Sequence, residues 1–334
     1  MFTAICLTRL LFDFALKYRN WKTLKMRRAL SKPNFQFLSK WKAAFALSGF
    51  LIVASLILFI FKGEQIFGVD FTGGTRISYL YEQQVPVAEL EKLLKPVDAN
   101  VRISYKSSPS AHDNRKLEIL IRDRKGITES NAFSLNDRVT TLLNEKFPQL
   151  KAHDGQETTV GGLVGAEAGR TSVIALLVAL LGMSIYIAIR FELSFALAAL
   201  VGLVHVGIVS LGIFILMGRE ISLPIVAAVL TVVGYSLNDT IVVFDRIREE
   251  LKLMPGKSVW EVMNLSINRT LSRTVLTSGS TLLVVVVMFC FGGIVINDFV
   301  LVIMIGVVIG TYSTIFISSP LAAMWHRKIG TPKI

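Results

Sequence analysis

Asp239 stands inside an apolar run, Pro224 to Phe244, that is long enough to cross a bilayer. An unpaired carboxylate at that depth costs about 2.5–3.5 kcal/mol on insertion scales, and a chain that keeps one usually employs it as an ion, proton or substrate site. Thr231, Tyr235 and Asn238 accompany Asp239 at helical spacings, and Asp245 and Arg246 follow at the end of the run, so most of these groups share one side of a helix. A matching stripe opens the next apolar run, with Arg269, Arg273, Thr277 and Thr281 each four apart and Ser272, Thr274, Ser278 and Ser280 beside them. Asp239 lies about six residues, or ~9 Å, inside the end of its run. If both runs reach the membrane from the same side, Asp239 and Arg273 sit at comparable depth and can pair. Burial favours a protonated acid, whereas an adjacent guanidinium favours the carboxylate. Moving Arg273 toward and away from Asp239 would therefore make it hold and release a proton. Asn238, Tyr235 and Thr277 would support such a relay by keeping its path hydrated. The alternative is a structural ion pair in which Arg273 reaches the headgroups.

These stripes need helices to hold them, and the composition supplies them. The chain has 334 residues, 52% hydrophobic and 18% charged, with a mean hydropathy of +0.57. Apolar runs at 43–61, 171–189, 193–217, 223–244, 274–295 and 298–324 each approach or exceed the ~20 residues of a transmembrane helix. The expected fold is an α-helical polytopic membrane protein with six transmembrane helices. A polar stretch, 62–170, separates the first span from a five-helix bundle at 171–325, whose loop covers 245–273.

Charge sets the orientation. The 1–42 segment carries ten lysines and arginines, among them Arg9, Lys17, Arg27, Arg28 and Lys42, against the single acid Asp13. The 245–273 loop and the 326–334 tail are also basic, whereas 62–170 is close to neutral. Positive residues stay in the cytoplasm, so both termini belong there and the polar domain lies outside. The net charge of +12 is thereby accounted for by topology and anionic lipid. No platform of stacking aromatics suggests nucleic acid. Cys6 and Cys290 are too few and too far apart for a disulfide framework or a metal site.

The polar stretch alternates short elements. Strand patterns cover Gly74–Tyr81, Val101–Tyr105, Leu117–Ile121 and Leu150–Val160. Helical patterns cover Val87–Leu94 and Glu129–Phe147, the second with Phe133, Val139, Leu142, Leu143 and Phe147 on one face. The order β-α-β-β-α-β is that of an α+β ferredoxin-like fold. Gly161, Gly162, Gly165 and Gly169 then make a glycine-rich connector back to the membrane, without the Lys-Ser/Thr of a phosphate loop. Gly306 and Gly310 in the last span form a helix-packing face. His205, in the third span, suggests one helix–helix hydrogen bond. Nothing matches an ATP-binding loop, a zinc signature or a nucleophile elbow. The expected reading is a non-enzyme that needs no cofactor and takes its energy from an ion gradient.

Longer motifs carry a resemblance. Gly68-Val69-Asp70-Phe71-Thr72-Gly73-Gly74-Thr75 resembles the Asp-Phe-Thr-Gly-Gly motif of the SecF family, accessory membrane subunits of the bacterial Sec protein-export translocon. The run from Gly234 to Glu249, the segment Asn268-Arg269-Thr270-Leu271-Ser272-Arg273-Thr274 and the triplet Phe291-Gly292-Gly293 are similar to further motifs of that family. The resemblance spans about 34–327. It implies half of a pseudo-symmetric transporter of the resistance–nodulation–division type, completed by SecD. It further implies that the protein sits in the cytoplasmic (inner) membrane and uses the proton-motive force at a late stage of translocation of secreted preproteins through the Sec channel. Carried over, Asp239 becomes the proton-carrying acid and Arg273 its counterpart, while Asp70, Phe71, Thr72, Gly73 and Gly74 form a motif for coupling or for contact with SecD. The family often has His-Asp in the third span, where this chain has His205-Val206. The N-terminal Met1 to Asp13 resembles the end of the last SecD span, as in a fused SecDF, and also fits an amphipathic interfacial helix. A solute or lipid exporter of the same superfamily would carry larger external domains. A scaffold would use the same charges as fixed pairs.

Overall fold

The computed structural model describes residues 2–19, 34–98, 101–107, 115–121, 129–151 and 153–329. Much of the basic N-terminal segment, Lys333 of the tail, and the side chain of Phe133 lie outside the described residues.

Among the described residues, six helices are long and apolar enough to cross a membrane. They are α2 (Trp41–Lys62), α6 (Gly162–Arg190), α7 (Leu193–Leu216), α8 (Leu223–Leu253), α9 (Val259–Phe291), and α10 (Ile294–Ser313) continued by α11 (Ser319–Ile329). Three of them outrun the apolar runs by two turns or more. The glycine-rich stretch before residue 171 forms the first turns of α6 instead of a connector. The expected loop 245–273 is almost all helix, because α8 ends at Leu253 and α9 begins at Val259. Hydropathy marks where a helix leaves apolar surroundings, not where its hydrogen bonds stop. Helix formers and the pairs Arg246–Glu249 and Arg246–Glu250 carry α8 onward in polar surroundings. Ser258 starts α9 as a true cap, accepting from the Glu261 amide at 3.2 Å.

The bundle packs through small residues, as bilayer helices must when lipid is as apolar as leucine. A Cβ added at Gly306 would land inside the Val232 side chain, and one at Gly310 would lie 3.1 Å from Ser236 Cβ, so α10 rests directly on α8. Gly202 of α7 meets Ser318, and Gly212 of α7 meets Ser55 of α2. Between α10 and α11 the chain makes a wide π turn, Thr314–Ser318, and Ser319 Oγ donates to the Thr314 carbonyl at 2.8 Å. Helix α6 and the outer faces of α2 and α9 stay apolar and exposed, for example Leu177, Val178, Leu181, Phe50, Leu283 and Val287.

The polar domain has a four-stranded sheet of β1 (Gly74–Leu80), β2 (Arg102–Ser107), β3 (Arg115–Ile121) and β4 (His153–Val160). Its order is β2-β3-β1-β4, with all neighbours antiparallel. Helices α4 (Val87–Leu94) and α5 (Glu129–Lys146) cover one face, as the β-α-β-β-α-β order anticipates. Ile77, Tyr79, Leu90, Leu94, Leu117, Ile119, Val139 and Leu143 close the core there. The alternation of β1 sends Arg76 and Ser78 to the opposite face, which looks toward the bundle.

At the N-terminus, α1 (Phe2–Arg19) is helical and exposes Leu7, Leu10, Leu11 and Phe14, a surface common to both readings of this segment. Cys6 and Cys290 are not bridged to each other.

Candidate functional site

Helices α8 and α9 pack side by side and bring one pair of sequence-selected side chains into contact. Thr274 Oγ1 donates to Asp239 Oδ1 at 2.9 Å. Asp239 Oδ2 is buried and has no hydrogen-bond partner among the described residues. Arg273 turns outward and forms no ion pair with Asp239, so the expected salt bridge is not closed. One residue of helix rotation, about 100°, separates Arg273 from Thr274. The threonine therefore faces α8 while the arginine points past it. Asn238 and Thr277 are exposed and Tyr235 is half-buried, and none of the three hydrogen-bonds Asp239 among the described residues. Thr277 satisfies its hydroxyl on the carbonyls of Arg273 and Thr274. Together they make an exposed polar strip at the level of the acid.

The other flank of Asp239 is fixed. Thr240 Oγ1 and Thr314 Oγ1 lie 2.9 Å apart, both buried, with Thr314 opening the π turn. Ser278 Oγ and Thr311 Oγ1 lie 2.8 Å apart between α9 and α10. These bonds hold the backbone that carries Asp239 while leaving its second oxygen open. The Thr274 contact was accessible from its place in the α9 stripe. Thr314 was not, because the π turn displaces the register of the last helix.

Toward the helix ends opposite the polar domain, Glu250 is fully buried and pairs with Arg246 on its own helix and with Arg269 of α9. Arg269 is thus committed to this pair and not to Asp239. Hydropathy placed Glu250 in a solvent loop and hid it. Nearby, Asn264 and Asn268, one turn apart, clamp the backbone of Phe35. Asn268 Oδ1 accepts from the Phe35 amide at 2.9 Å, and both side-chain amides donate to the Phe35 carbonyl at 2.9 and 3.0 Å. His205 is 2% exposed, and neither ring nitrogen has a partner among the described residues, so the expected helix–helix hydrogen bond is not formed. The Tyr312 ring lies 6.1 Å from it, with its hydroxyl bound to Ala44 O and Ser48 Oγ.

The second motif forms a joint between domain and bundle. Val69–Thr72 make one helical turn, α3. Asp70 Oδ2 accepts from the Leu223 amide at 3.1 Å, which caps α8, the helix of Asp239. The Gly68 amide donates to Ile221 O at 2.8 Å, and the Ile221 amide to Ile66 O at 2.7 Å. Gly73 has φ +71°, and a Cβ there would come 2.7 Å from Gly162 Cα at the start of α6. A Cβ on Gly165 would come 3.1 Å from the Phe71 carbonyl. The motif thus joins β1, α6 and α8 at backbone contact. Asp70→Ala, which removes the cap, should lower stability by about 0.5–2 kcal/mol, and Asp70→Asn should recover most of it. Thermal unfolding of the two variants in detergent checks this, and equal losses would count against a capping role.

Residues 139–328 match the family model described as "Protein export membrane protein SecD/SecF, C-terminal". The chain is 41% identical over 300 residues to the protein translocase subunit SecF of Desulfurispirillum indicum, covering 87% of this chain and 91% of that protein. It is 43% identical over 290 residues to SecF of Calditerrivibrio nitroreducens, covering 86% and 93%. The crystal structure of SecDF, a translocon-associated membrane protein from Thermus thermophilus, superposes with a TM-score of 0.83 at 32% identity. That match covers 98% of this chain and 43% of the SecDF chain. With its motifs, its helices and its relatives in agreement over most of its length, the chain belongs to the SecF family of membrane protein translocase subunits.

Proposed function

We propose that this chain acts with SecD as an accessory subunit of the Sec translocon and uses the proton-motive force to promote a late stage of preprotein translocation. One observation carries the proton reading: Asp239 is held on one oxygen and buried without a partner on the other, beside an exposed polar strip of Asn238, Arg273 and Thr277. Polar groups that face lipid are costly, so the strip calls for a partner surface, and a six-helix half leaves room for one. Arg273 is not locked onto the acid and is free to approach it. A scaffold of fixed pairs would instead close the Asp239–Arg273 bridge. The coupling ion in this reading is the proton. Secreted preproteins and membrane lipid complete the set of partners.

The same reading puts the protein in the cytoplasmic membrane with both termini in the cytoplasm and the polar domain outside. Basic 1–42, together with Trp41 and Trp260, whose rings lie 6.2 Å apart at the end opposite the domain, supports this orientation. The test is co-expression with SecD in a background of Cys6→Ala and Cys290→Ala, with Lys92→Cys as a label on exposed α4. The chain should co-purify with SecD, stimulate export in vesicles only under a proton gradient, and be labelled by an impermeant thiol reagent in spheroplasts. A chain that is stable without SecD, or labelled only after lysis, contradicts the reading.

A further inference from the structure

The polar domain meets the bundle at two places of different character. On the β1/β4 side lies the backbone joint of Gly68–Gly74, where the absence of side chains at Gly73 and Gly165 lets backbone meet backbone. On the β2 side, at the far edge of the sheet, the recorded links are made by charged side chains. Arg102 NH1 lies 3.3 Å from Glu220 in the α7–α8 turn and also reaches the Gln65 carbonyl. Lys106 Nζ lies 2.9 Å from Asp298 Oδ2 near the start of α10. Arg102 and Lys106 are four apart on one strand and so point the same way. Between joint and edge is a cavity of about 570 Å³, lined by Ser78, Ser104, Lys116 and Thr158 of the sheet. The sheet wall of this cavity is polar, whereas the bundle wall includes Met217, Leu223, Val295 and Phe299.

The charges are distributed so that the edge can let go. Lys106 also pairs with Glu118 of its own domain at 2.9 Å, and Asp298 also pairs with Arg219 of the bundle at 2.9 Å. Breaking the Lys106–Asp298 contact therefore leaves each charge with a resident partner, which avoids the cost of an abandoned buried ion. A permanent anchor needs no second partner on each side. Burial pulls the Lys106 ammonium down, but Glu118 and Asp298 more than offset it and hold it above the ordinary lysine value.

We propose that Arg102 and Lys106, with Glu220 and Asp298, form a releasable clasp, and that the domain swings about the Asp70–Gly74 joint when this clasp opens in the export cycle. The proposal rests on the export reading above and adds a moving part to it. Such a swing would widen the domain–bundle cavity, which both Asp70 and the clasp residues Lys106, Glu220 and Asp298 line, and the cap that Asp70 places on α8 links it to the helix of Asp239.

The test uses the SecD complex in vesicles, with Cys6→Ala and Cys290→Ala. Lys106→Cys and Asp298→Cys are bridged by a short, reducible, bifunctional thiol reagent. Bridged protein should lose gradient-stimulated export, and reduction should restore it, which separates locking from misfolding. Full export by completely bridged protein overturns the clasp, as does loss that reduction fails to reverse. In a second arm, Ser78→Cys, at a half-buried position on the sheet wall of the cavity, should be labelled faster by an impermeant thiol reagent when the gradient is applied. A labelling rate indifferent to the gradient also overturns it. Asp239→Asn vesicles run alongside: normal export there sinks the proton reading, whereas lost export there with normal export from bridged protein sinks the clasp alone.

Discussion

Asp239→Asn is expected to abolish gradient-stimulated translocation while the protein remains in the membrane at normal abundance. The amide has the shape of the carboxylic acid, and its oxygen still accepts from Thr274 Oγ1, which lies 2.9 Å from Asp239 Oδ1. It inserts more cheaply than a charge. What it lacks is an ionisable oxygen at the buried, unpartnered Oδ2 position. Arg273→Lys keeps the charge but loses the planar fork, so translocation should fall partly or wholly. The double variant Asp239→Asn/Arg273→Gln should assemble and stay inactive, since nothing unpaired remains and nothing titrates. Thr274→Val should weaken translocation less than Asp239→Asn, because it removes the positioning donor and leaves the acid. Preprotein translocation into vesicles, with and without a proton gradient and with the abundance of the chain measured by immunoblot, reads all four. Normal translocation by Asp239→Asn at normal abundance would hand the case to the scaffold.

Gly306→Leu should damage both assembly and function, whereas Gly182→Leu should do little. At Gly306 the first added carbon already falls within Val232, so α10 must move off α8. Overpacking of this kind costs about 1–3 kcal/mol. The displacement passes along the same helix to Thr314, whose 2.9 Å contact with Thr240 holds the residue next to Asp239. At Gly182, on α6, an added carbon meets nothing within 4 Å. Adding Val232→Ala to Gly306→Ala should recover part of the loss by returning the space. Thermal stability of the purified SecD complex, followed by translocation, checks this. If Gly306→Leu matches Gly182→Leu in both, the α8–α10 contact does not position the site.

Much of the polar domain was legible because soluble elements write their burial into alternation. Val87–Leu94 was recovered at its bounds, and Leu90 and Leu94 are in the core. The four strands fell within a few residues of their observed ends. The membrane helices were legible in number but not in extent, since α8 and α9 continue beyond the apolar runs into charged sequence.

The sequence by itself determined that Asp239 lies within a membrane helix, that a hydroxyl-rich helix follows, and that Asp70–Gly74 stands where the chain leaves the first span. Each is a matter of composition and spacing along one element. Only the tertiary structure decided that Thr274 and not Arg273 bonds Asp239, that Arg269 belongs to Glu250, and that Asp70 caps the helix of the acid. The physical reason is rotation and distance. A stripe at helical spacing fixes a face to within about 100° per residue, so it cannot say which of two adjacent residues meets the neighbouring helix. No spacing can bring Asp70 to Leu223, 153 residues away, or Lys106 to Asp298, 192 residues away, because those contacts exist only once the bundle has closed and the domain has settled on it.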